Sequence, residues 1–511
     1  MSGNTFIYGS FVMVVVNIIV RVIDFTYGVM LSKFLGAEAM GLFQMSMSIL
    51  MIFLTVSIAG IPTAISRLVA EQNSKGNHFA TKRILKTAIY LVSLLSSVFS
   101  LILILFGESI SFRIFKNEDM LLAIYLLIPS IFIISVSSIL RGYYYGLKNM
   151  LIPGISQIIE HITRFILILG FLYFVYPVAP LYGALIAIVG ITLGEVFDLI
   201  WLLIMLKSTN KKMISINIRR ISGPKILRQI LPIAVPIGVS GFLNVIIRFF
   251  SSILIPQKLM ISGYTNGEAI ATFGRITGMA MPLIMIPFTV TSAIVTNLIP
   301  NLSEQMALKN YKNIRNNIIF SLKITLLISI PLTGFYLCFA ENLGSLLYGD
   351  HEVGSFIQAM SYGTVCLALQ NTFSGVLHGL NKQIAVTANN LLGMMIQLLC
   401  IYYLVGDPRF GITGFFIGFL SSGVIVCLLD MITIRKVIKL KIDTKDIILK
   451  PLVATIVMVI VVSYSMDFLH GFYVGDILTF VFSSIIGIGS YALVLYMTKA
   501  IPKNFLKRLI R

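Results

Sequence analysis

Two long apolar runs of this sequence each contain an arginine in nearly the same local spelling. These are Asn17-Ile-Ile-Val-Arg21 and Asn244-Val-Ile-Ile-Arg248. An arginine at the centre of a membrane helix costs about 2.5 to 3.5 kcal/mol on insertion scales, so it is seldom there for stability. The planar fork of a guanidinium group matches two oxygens of a phosphate at once. The repeated pattern therefore indicates a polar cavity that binds an anionic group.

The same apolar runs carry further polar residues. Asn17, Arg21 and Asp24 are spaced at i, i+4 and i+7, which places them on one stripe of a helix. Arg275 lies in a later run, again where a charged side chain needs a polar surrounding. We predict the following substrate-binding residues: Arg21, Asp24, Asn17, Arg248, Asn244 and Arg275.

Two other runs contain acidic residues at helical spacing. Glu160 precedes Arg164 by four residues, the favourable orientation for an ion pair on a helix, and Glu195 and Asp198 lie one turn apart. We predict a coupling or gating role for these four residues. A static ion pair that holds helices together is the structural alternative for Glu160 and Arg164, and a pair with Arg164 is the alternative for the other two.

Three tyrosines stand between two basic residues at the end of another run. This segment contains Arg141, Tyr143, Tyr144, Tyr145 and Lys148. We predict that it forms a docking surface for a headgroup at the cytoplasmic edge of the membrane, where aromatic faces stack and bases hold phosphate. The alternative is an interfacial aromatic belt without a binding role.

The composition requires a membrane as the surrounding medium. Of 511 residues, 57% are hydrophobic and only 12% are charged, whereas soluble domains contain roughly 25% charged residues. We predict an all-α polytopic membrane protein with fourteen transmembrane helices of about 20 residues each. The predicted spans are 8–31, 43–65, 86–106, 120–141, 153–175, 181–206, 231–254, 274–299, 319–340, 356–378, 385–405, 410–431, 451–469 and 475–498.

The net charge of +19 is concentrated in alternate loops, so it indicates membrane topology and not a nucleic-acid partner. Basic loops surround Lys82, Arg83 and Lys86 and later Lys309, Lys312 and Arg315, whereas the opposite loops are acidic. We therefore expect both termini to be cytoplasmic in a multi-pass protein of the cell membrane.

The four cysteines are scattered singly, and no catalytic or nucleotide-binding motif is present, so we expect no metal, no cofactor and no enzyme activity.

Short repeats indicate an internal duplication. Glu71-Gln72 recurs as Glu304-Gln305, and Gly146-Leu147 recurs as Gly379-Leu380, each after corresponding apolar runs. Repeats of six spans insert in the same orientation and are related by a pseudo-twofold axis along the membrane normal. We predict a six-helix lobe (1–206), a basic cytoplasmic linker (207–228), a second six-helix lobe (229–434), a second basic linker (435–450), and helices 13 and 14 with a basic tail (451–511).

Three stretches resemble a known family. They read RGYYYGLKNMLIPGISQIIEHITR (141–164), ISRLVAEQNSKG (65–76) and MAMPLIMIPFTVTSAIVTNLIPNLSEQ (279–305). They are similar to sporulation members of the polysaccharide transporter family, in the multidrug/oligosaccharidyl-lipid/polysaccharide (MOP) exporter superfamily. More distantly the chain resembles MurJ-type lipid II flippases, because Arg21 precedes Leu35-Gly36-Ala37 as an arginine does in their first span. Asn389 stands where their sodium-site acid would be expected, so sodium coupling there is not favoured.

The resemblance implies a flippase that moves an undecaprenyl-pyrophosphate-linked sugar to the outer leaflet by alternating access, with the peptidoglycan precursor of the spore cortex as its cargo. Arg21, Arg248 and Arg275 would hold the pyrophosphate. Expected partners are this lipid-linked oligosaccharide, membrane lipid and cell-wall synthases, with the protein as a monomer. The alternatives are a multidrug cation exporter of the same fold and a membrane scaffold for cell-wall synthesis that transports nothing.

Overall fold

The computed structural model of the protein describes residues 2–58, 60–212, 222–438, 445–471 and 475–500. Within these ranges the regular structure is helical and contains no strand, which confirms the predicted all-α class. Three segments on which predictions fell lie outside the described residues, namely linker residues 213–221 and 439–444 and the basic tail 501–511.

Seventeen α-helices succeed one another along the described ranges. They are α1 (Ser2–Ile58), α2 (Ile61–Ser74), α3 (His78–Glu108), α4 (Met120–Gly146), α5 (Leu151–Val175), α6 (Pro180–Lys212), α7 (Gly223–Ile261), α8 (Asn266–Gly274), α9 (Met281–Ile284), α10 (Ile286–Ala307), α11 (Tyr311–Leu343), α12 (His351–Ser361), α13 (Thr364–Gly379), α14 (Gln383–Cys400), α15 (Thr413–Val437), α16 (Lys450–His470) and α17 (Asp476–Met497). Short π-helical segments extend some of them, at Ser109–Phe115, Arg275–Ala280, Gly344–Tyr348, Ile401–Val405 and Lys445–Leu449.

Eleven helices in the described part of the chain are long and apolar enough to cross a membrane, or twelve when one bent pair is counted as a span. The predicted number was fourteen. The first two predicted spans fall in one helical run, Val15–Ser74, and the tenth is divided between α12 and α13, of which α13 has only 16 residues. The chain is thus a multi-pass membrane protein, and the count of fourteen stays a prediction.

The helix α1 is interrupted at Gly36, which lies between the first two predicted spans. Gly36 has φ 76° and ψ 176°, while the residues on both sides continue the helical run. A positive φ is strained for residues with a Cβ, so this break requires glycine. Gly36 therefore divides α1 into a first half with Arg21 and Asp24 and a second half that packs on α8.

The contacts divide the chain into two compact units. The first comprises Met1–Met260 with Tyr264–Gly274, and the second comprises Ile261–Gly263 with Arg275–Arg511. The first unit includes α7, which the sequence analysis assigned to the second lobe. Its first turns pack Ile226, Ile230 and Ala234 into the hydrophobic core formed by α2, α3, α4 and α6, because these side chains lie on one apolar stripe of α7.

Close glycine contacts hold α1 against α8 in the first unit. A Cβ atom added at Gly41 would lie 2.1 Å from the carbonyl oxygen of Ile270, and one added at Gly274 would lie 2.1 Å from that of Ala37. Small residues at helix crossings allow backbones to approach in membrane proteins, where packing must replace the hydrophobic effect. The crossing therefore depends on the absence of side chains at both positions.

We expect Gly41→Ala to destabilise the protein by about 1–3 kcal/mol through overpacking at this crossing. Gly28→Ala is the matched control, because Gly28 lies on the same helix with nothing within 4 Å of an added Cβ. Both changes gain the same helix propensity, so their difference isolates the clash. Thermal unfolding of purified protein in detergent measures it, and equal melting temperatures would contradict the expectation.

The second unit has its main core between α10, α11, α13, α14 and α15. The core side chains include Leu302, Ile318, Leu377 and Ile434, all of them buried. The last two helices pack on α11, where Met458 and Val462 contact Phe339. The hydroxyl of Tyr491 on α17 donates a hydrogen bond to the carbonyl oxygen of Leu327 at 2.8 Å, which fixes α17 against α11.

Candidate functional site

Five charged side chains form a buried charge cluster inside the first unit. Its centre is Arg141 on α4, whose Nη2 donates to Glu160 Oε2 at 3.0 Å and to Glu195 Oε2 at 3.3 Å and lies 3.0 Å from Asp198 Oδ2. Arg164 Nη2 donates to Glu160 Oε1 at 2.5 Å. The structure thus brings all four predicted coupling residues together and adds Arg141 as their common partner.

The helices that carry the buried charge cluster approach each other closely. A Cβ added at Gly194 on α6 would lie 3.0 Å from the carbonyl oxygen of Glu160 on α5, so the two backbones meet beside the charges. The hydroxyls of Ser130 on α4 and Thr192 on α6 are 2.5 Å apart and join α4 to α6, and Thr192 lies one turn before Glu195. Small and hydroxyl-bearing residues therefore let three helices present their charges to one point.

The side chains of this cluster are buried, so each of their charges needs a partner of opposite charge. The side chain of Asp198 has no exposed area, and those of Glu160 and Glu195 are only 7% exposed. Two guanidinium groups face three carboxylates, so the cluster has a net negative charge of one when every group is ionised. A buried charge is tolerated only when it is paired and hydrogen-bonded. Asp198 Oδ2 lies at ion-pair distance from Arg141 Nη2, whereas Oδ1 of the same carboxylate has no hydrogen-bond partner among the described residues.

The predicted binding residues of α1 lie on its accessible side. Asn17, Arg21 and Asp24 are all exposed. Asp24 Oδ1 is 2.5 Å from His161 Nδ1 on α5, one residue after Glu160. The two helices meet at Gly154, where an added Cβ would lie 2.8 Å from the side chain of Val16. His161 thus links the exposed stripe of α1 to the helix that carries two members of the buried charge cluster.

The equivalent residues of α7 are accessible as well. Asn244 and Arg248 are exposed on this helix. The neighbouring Phe249 packs edge-on against Phe115, with ring centroids 5.8 Å apart, so the helix is anchored on one side while Arg248 remains accessible.

Arg275 has two acidic partners in the second unit. Its Nε donates to Asp350 Oδ2 at 2.7 Å, and its Nη1 is 2.8 Å from Glu352 Oε2. Both acids lie at the start of α12, which Asp350 caps by accepting from the Glu352 amide. These pairs compensate the charge of Arg275, so a pyrophosphate at this side chain would have to compete with two carboxylates.

Most residues of the predicted docking surface lie in the interior of the first unit. Tyr143 and Tyr144 have no exposed area and belong to the hydrophobic core of the first unit. Arg141 points into the buried charge cluster, Tyr145 is half-buried and Lys148 alone among the five is exposed. The reason is the period of α4, whose last turns bury one face between α2 and α6. A headgroup could not contact the two buried rings in this conformation.

Sequence reasoning missed two pairings. His161 follows Glu160 directly, but its partner Asp24 is far away in the chain, so only the packing of α1 on α5 reveals the pair. In the second unit Asp430 on α15 is fully buried and accepts hydrogen bonds from Asn389 at 2.8 Å and from Ser374 at 3.4 Å. The isolated acid in an apolar run was the only signal for it.

Relatives of known identity match nearly the whole chain. A stage V sporulation protein B of Bacillus subtilis (strain 168) is 28% identical over 450 residues, which cover 87% of this chain and 86% of that protein. The lipid II flippase MurJ of the same organism is 23% identical over 421 residues and 76% of each chain. Both matches thus cover at least three quarters of this chain and of the relative.

Solved structures show the same fold. A lipid II flippase MurJ in an inward closed conformation has a TM-score of 0.71 at 16% identity, covering 97% of this chain and 99% of that one. An inward-facing MATE family transporter has a TM-score of 0.65 at 15% identity, covering 81% and 95%. A family model for MatE matches residues 233–403, and one described as polysaccharide biosynthesis protein matches residues 6–306. With more than half of its length matched by the latter model, this chain belongs to the polysaccharide biosynthesis protein family.

Proposed function

We propose that this protein is a flippase that moves an undecaprenyl-pyrophosphate-linked sugar from the cytoplasmic to the outer leaflet by alternating access. The cargo we propose is lipid II or a related peptidoglycan precursor for the spore cortex. The names of two relatives, a sporulation protein and a lipid II flippase, support this choice. The protein acts as a transporter and not as an enzyme.

The exposed guanidinium group of Arg21 carries the proposal. Arg21 lies on α1 between long apolar stretches, where a charge is costly unless it faces water or a polar ligand. Arg248 repeats the arrangement on α7. A guanidinium group binds pyrophosphate oxygens through two parallel hydrogen bonds, so these two side chains are suited to hold the head of the cargo while its polyprenyl chain remains in the bilayer.

The buried charge cluster is proposed to couple transport to an ion. Its surplus of one negative charge, when every group is ionised, favours binding of a positive charge, and Asp198 Oδ1 has no hydrogen-bond partner among the described residues. Neutralising the surplus would change how tightly Arg141 holds α4, α5 and α6 together. Such a change would shift the equilibrium between two packings of these three helices.

The finer topology belongs to the same proposal. It comprises fourteen spans, cytoplasmic termini, two six-helix lobes at 1–206 and 229–434, and function as a monomer beside cell-wall synthases. The matching N-caps of α3 and α11 support the duplication, because Asn77 accepts from the Ala80 amide at 3.0 Å and Asn310 from the Asn313 amide at 3.2 Å. These caps have the same offset as the two repeated dipeptides.

A vesicle assay tests the proposed cargo. We expect purified protein in liposomes to move fluorescent lipid II between leaflets, and to move an analogue with a single phosphate at least about tenfold more slowly, because one of two charged groups is lost. Protein-free liposomes and liposomes with an unrelated membrane protein are the controls. If lipid II does not move at all, the scaffold alternative is favoured and the flippase proposal fails.

The MatE model match favours a second candidate, export of multidrug cations. A cation exporter needs acidic groups that ligands can reach, and the acids of the buried charge cluster have little or no exposed area. Efflux of a cationic dye, measured in the same liposomes with and without lipid II, separates the two candidates. Dye efflux without lipid II movement would favour the second.

A further inference from the structure

A groove of about 570 Å³ opens between the start of α3 and the start of α7 in the first unit. Lys82, Arg83 and Lys86 of α3 line it on one side, and Pro224 and Leu227 of α7 line it on the other. Its volume lies in the range of about 300–1,000 Å³ that is usual for ligand sites. We call this the basic groove.

The basic groove lies where α3 enters the hydrocarbon layer. The 20 residues that follow Lys86, Thr87 to Phe106, contain no charged side chain, which is the length that a bilayer core requires. On α7 the residues after Arg228 are likewise uncharged up to Arg248. The three basic side chains therefore lie at the depth of lipid headgroups, on the side where α3 begins.

Along one stripe of α3, the side chains change from basic to aromatic to apolar, in the same order as the headgroup, interface and acyl chain of a phospholipid. Arg83 and Lys86 come first, then Tyr90 with 73% of its area exposed, and then exposed apolar side chains. The apolar members of this stripe are Leu94, Val98, Leu101 and Leu105. Positive charge suits a phosphate, tyrosine suits the interface, and the apolar stripe suits an acyl chain. A soluble phosphate would make no use of the apolar part.

Two of the three basic side chains keep their charge uncompensated among the described residues. Arg83 and Lys86 are exposed and have no acidic partner among the described residues. We infer that the basic groove binds the headgroup of an anionic phospholipid, whose acyl chains lie on the exposed stripe of α3. The bound lipid would join α3 to the first turns of α7. This inference is independent of the cargo and would hold for an exporter of any substrate.

Binding of phosphatidylglycerol to the purified protein, followed by native mass spectrometry, tests the inference. We expect Lys82→Gln with Arg83→Gln and Lys86→Gln to raise the Kd of the tightest phosphatidylglycerol site at least about fivefold, because three cations near the phosphate are lost. Lys309→Gln with Lys312→Gln and Arg315→Gln is the matched control. It removes the same charge around the start of α11, and an asparagine caps the start of both α3 and α11. The control variant should change Kd less than about twofold.

Three results would overturn the inference. One is an equal loss in the control variant, which would indicate unspecific electrostatics. Another is equally tight binding of phosphatidylcholine to the wild-type protein. The third is displacement of phosphatidylglycerol by undecaprenyl pyrophosphate with the same dependence on the three residues, which would make the groove a cargo site. Should the triple variant not fold, Lys86→Gln alone removes one exposed charge and should weaken binding about twofold.

Discussion

Replacing Arg141 by alanine is expected to lower the free energy of unfolding by about 3–5 kcal/mol, because it leaves three carboxylates facing Arg164 alone in a buried site. Arg141 is the common partner of Glu160, Glu195 and Asp198, so a single change breaks the centre of the buried charge cluster. Thermal and denaturant unfolding in detergent measure the loss, together with the yield of folded protein.

Two further variants make the Arg141 result specific. Arg113→Ala removes an exposed arginine beyond α3 and should change stability by less than about 0.5 kcal/mol. Arg141→Gln combined with Glu195→Gln removes one charge of each sign, and we expect it to recover part of the stability lost in Arg141→Gln alone. A protein with Arg141→Ala that is as stable as one with Arg113→Ala would show that the cluster does not hold α4, α5 and α6 together.

Replacing Arg21 by alanine is expected to slow cargo movement strongly while the protein stays inserted and folded. Arg21 is exposed, so its removal leaves the hydrophobic cores intact. Losing one partner of a charged hydrogen-bonded pair costs about 2 kcal/mol or more, which corresponds to a loss of roughly thirtyfold in transport rate at limiting cargo. The initial rate of fluorescent lipid II movement in liposomes measures it, with insertion checked by protease protection.

Arg21→Lys separates charge from geometry in this experiment. Lysine keeps the charge but lacks the planar fork, so we expect an intermediate rate. Arg113→Ala again serves as the control and should transport at the wild-type rate. If Arg21→Ala retains full activity, its role in binding the pyrophosphate is refuted, although the fold and the family assignment stand.

Local patterns in the sequence predicted which charged residues share a helix face. The spacings of Glu160 with Arg164 and of Glu195 with Asp198 follow helix periodicity, and both pairs do face one point in the structure. The break at Gly36 falls between the first two predicted spans, 8–31 and 43–65, where the sequence separates two apolar runs. Such features depend on a few neighbouring residues, which one sequence suffices to reveal.

Features that depend on how helices pack could not be predicted in this way. Arg141 lies beside three tyrosines, which suggested a surface, but the orientation of α4 turns it inward. The pair of Asp430 with Asn389 needs α14 and α15 to meet, and the pair of Asp24 with His161 needs α1 to meet α5. The number of spans was equally beyond local patterns, because helix breaks and short helices such as α13 interrupt the apolar runs.

The break in α1 has a consequence for how Arg21 is aimed. Only the two backbone torsions of Gly36 separate the arm with Arg21 from the arm anchored on α8, and a Cβ at Gly36 would touch nothing within 4 Å. A methyl group there would leave each neighbouring contact intact and act on the torsions alone, at a cost of roughly 1–2 kcal/mol. The direction of the arm that carries Arg21 therefore depends on the torsions of Gly36 as well as on its packing against α5 at Val16 and Gly154.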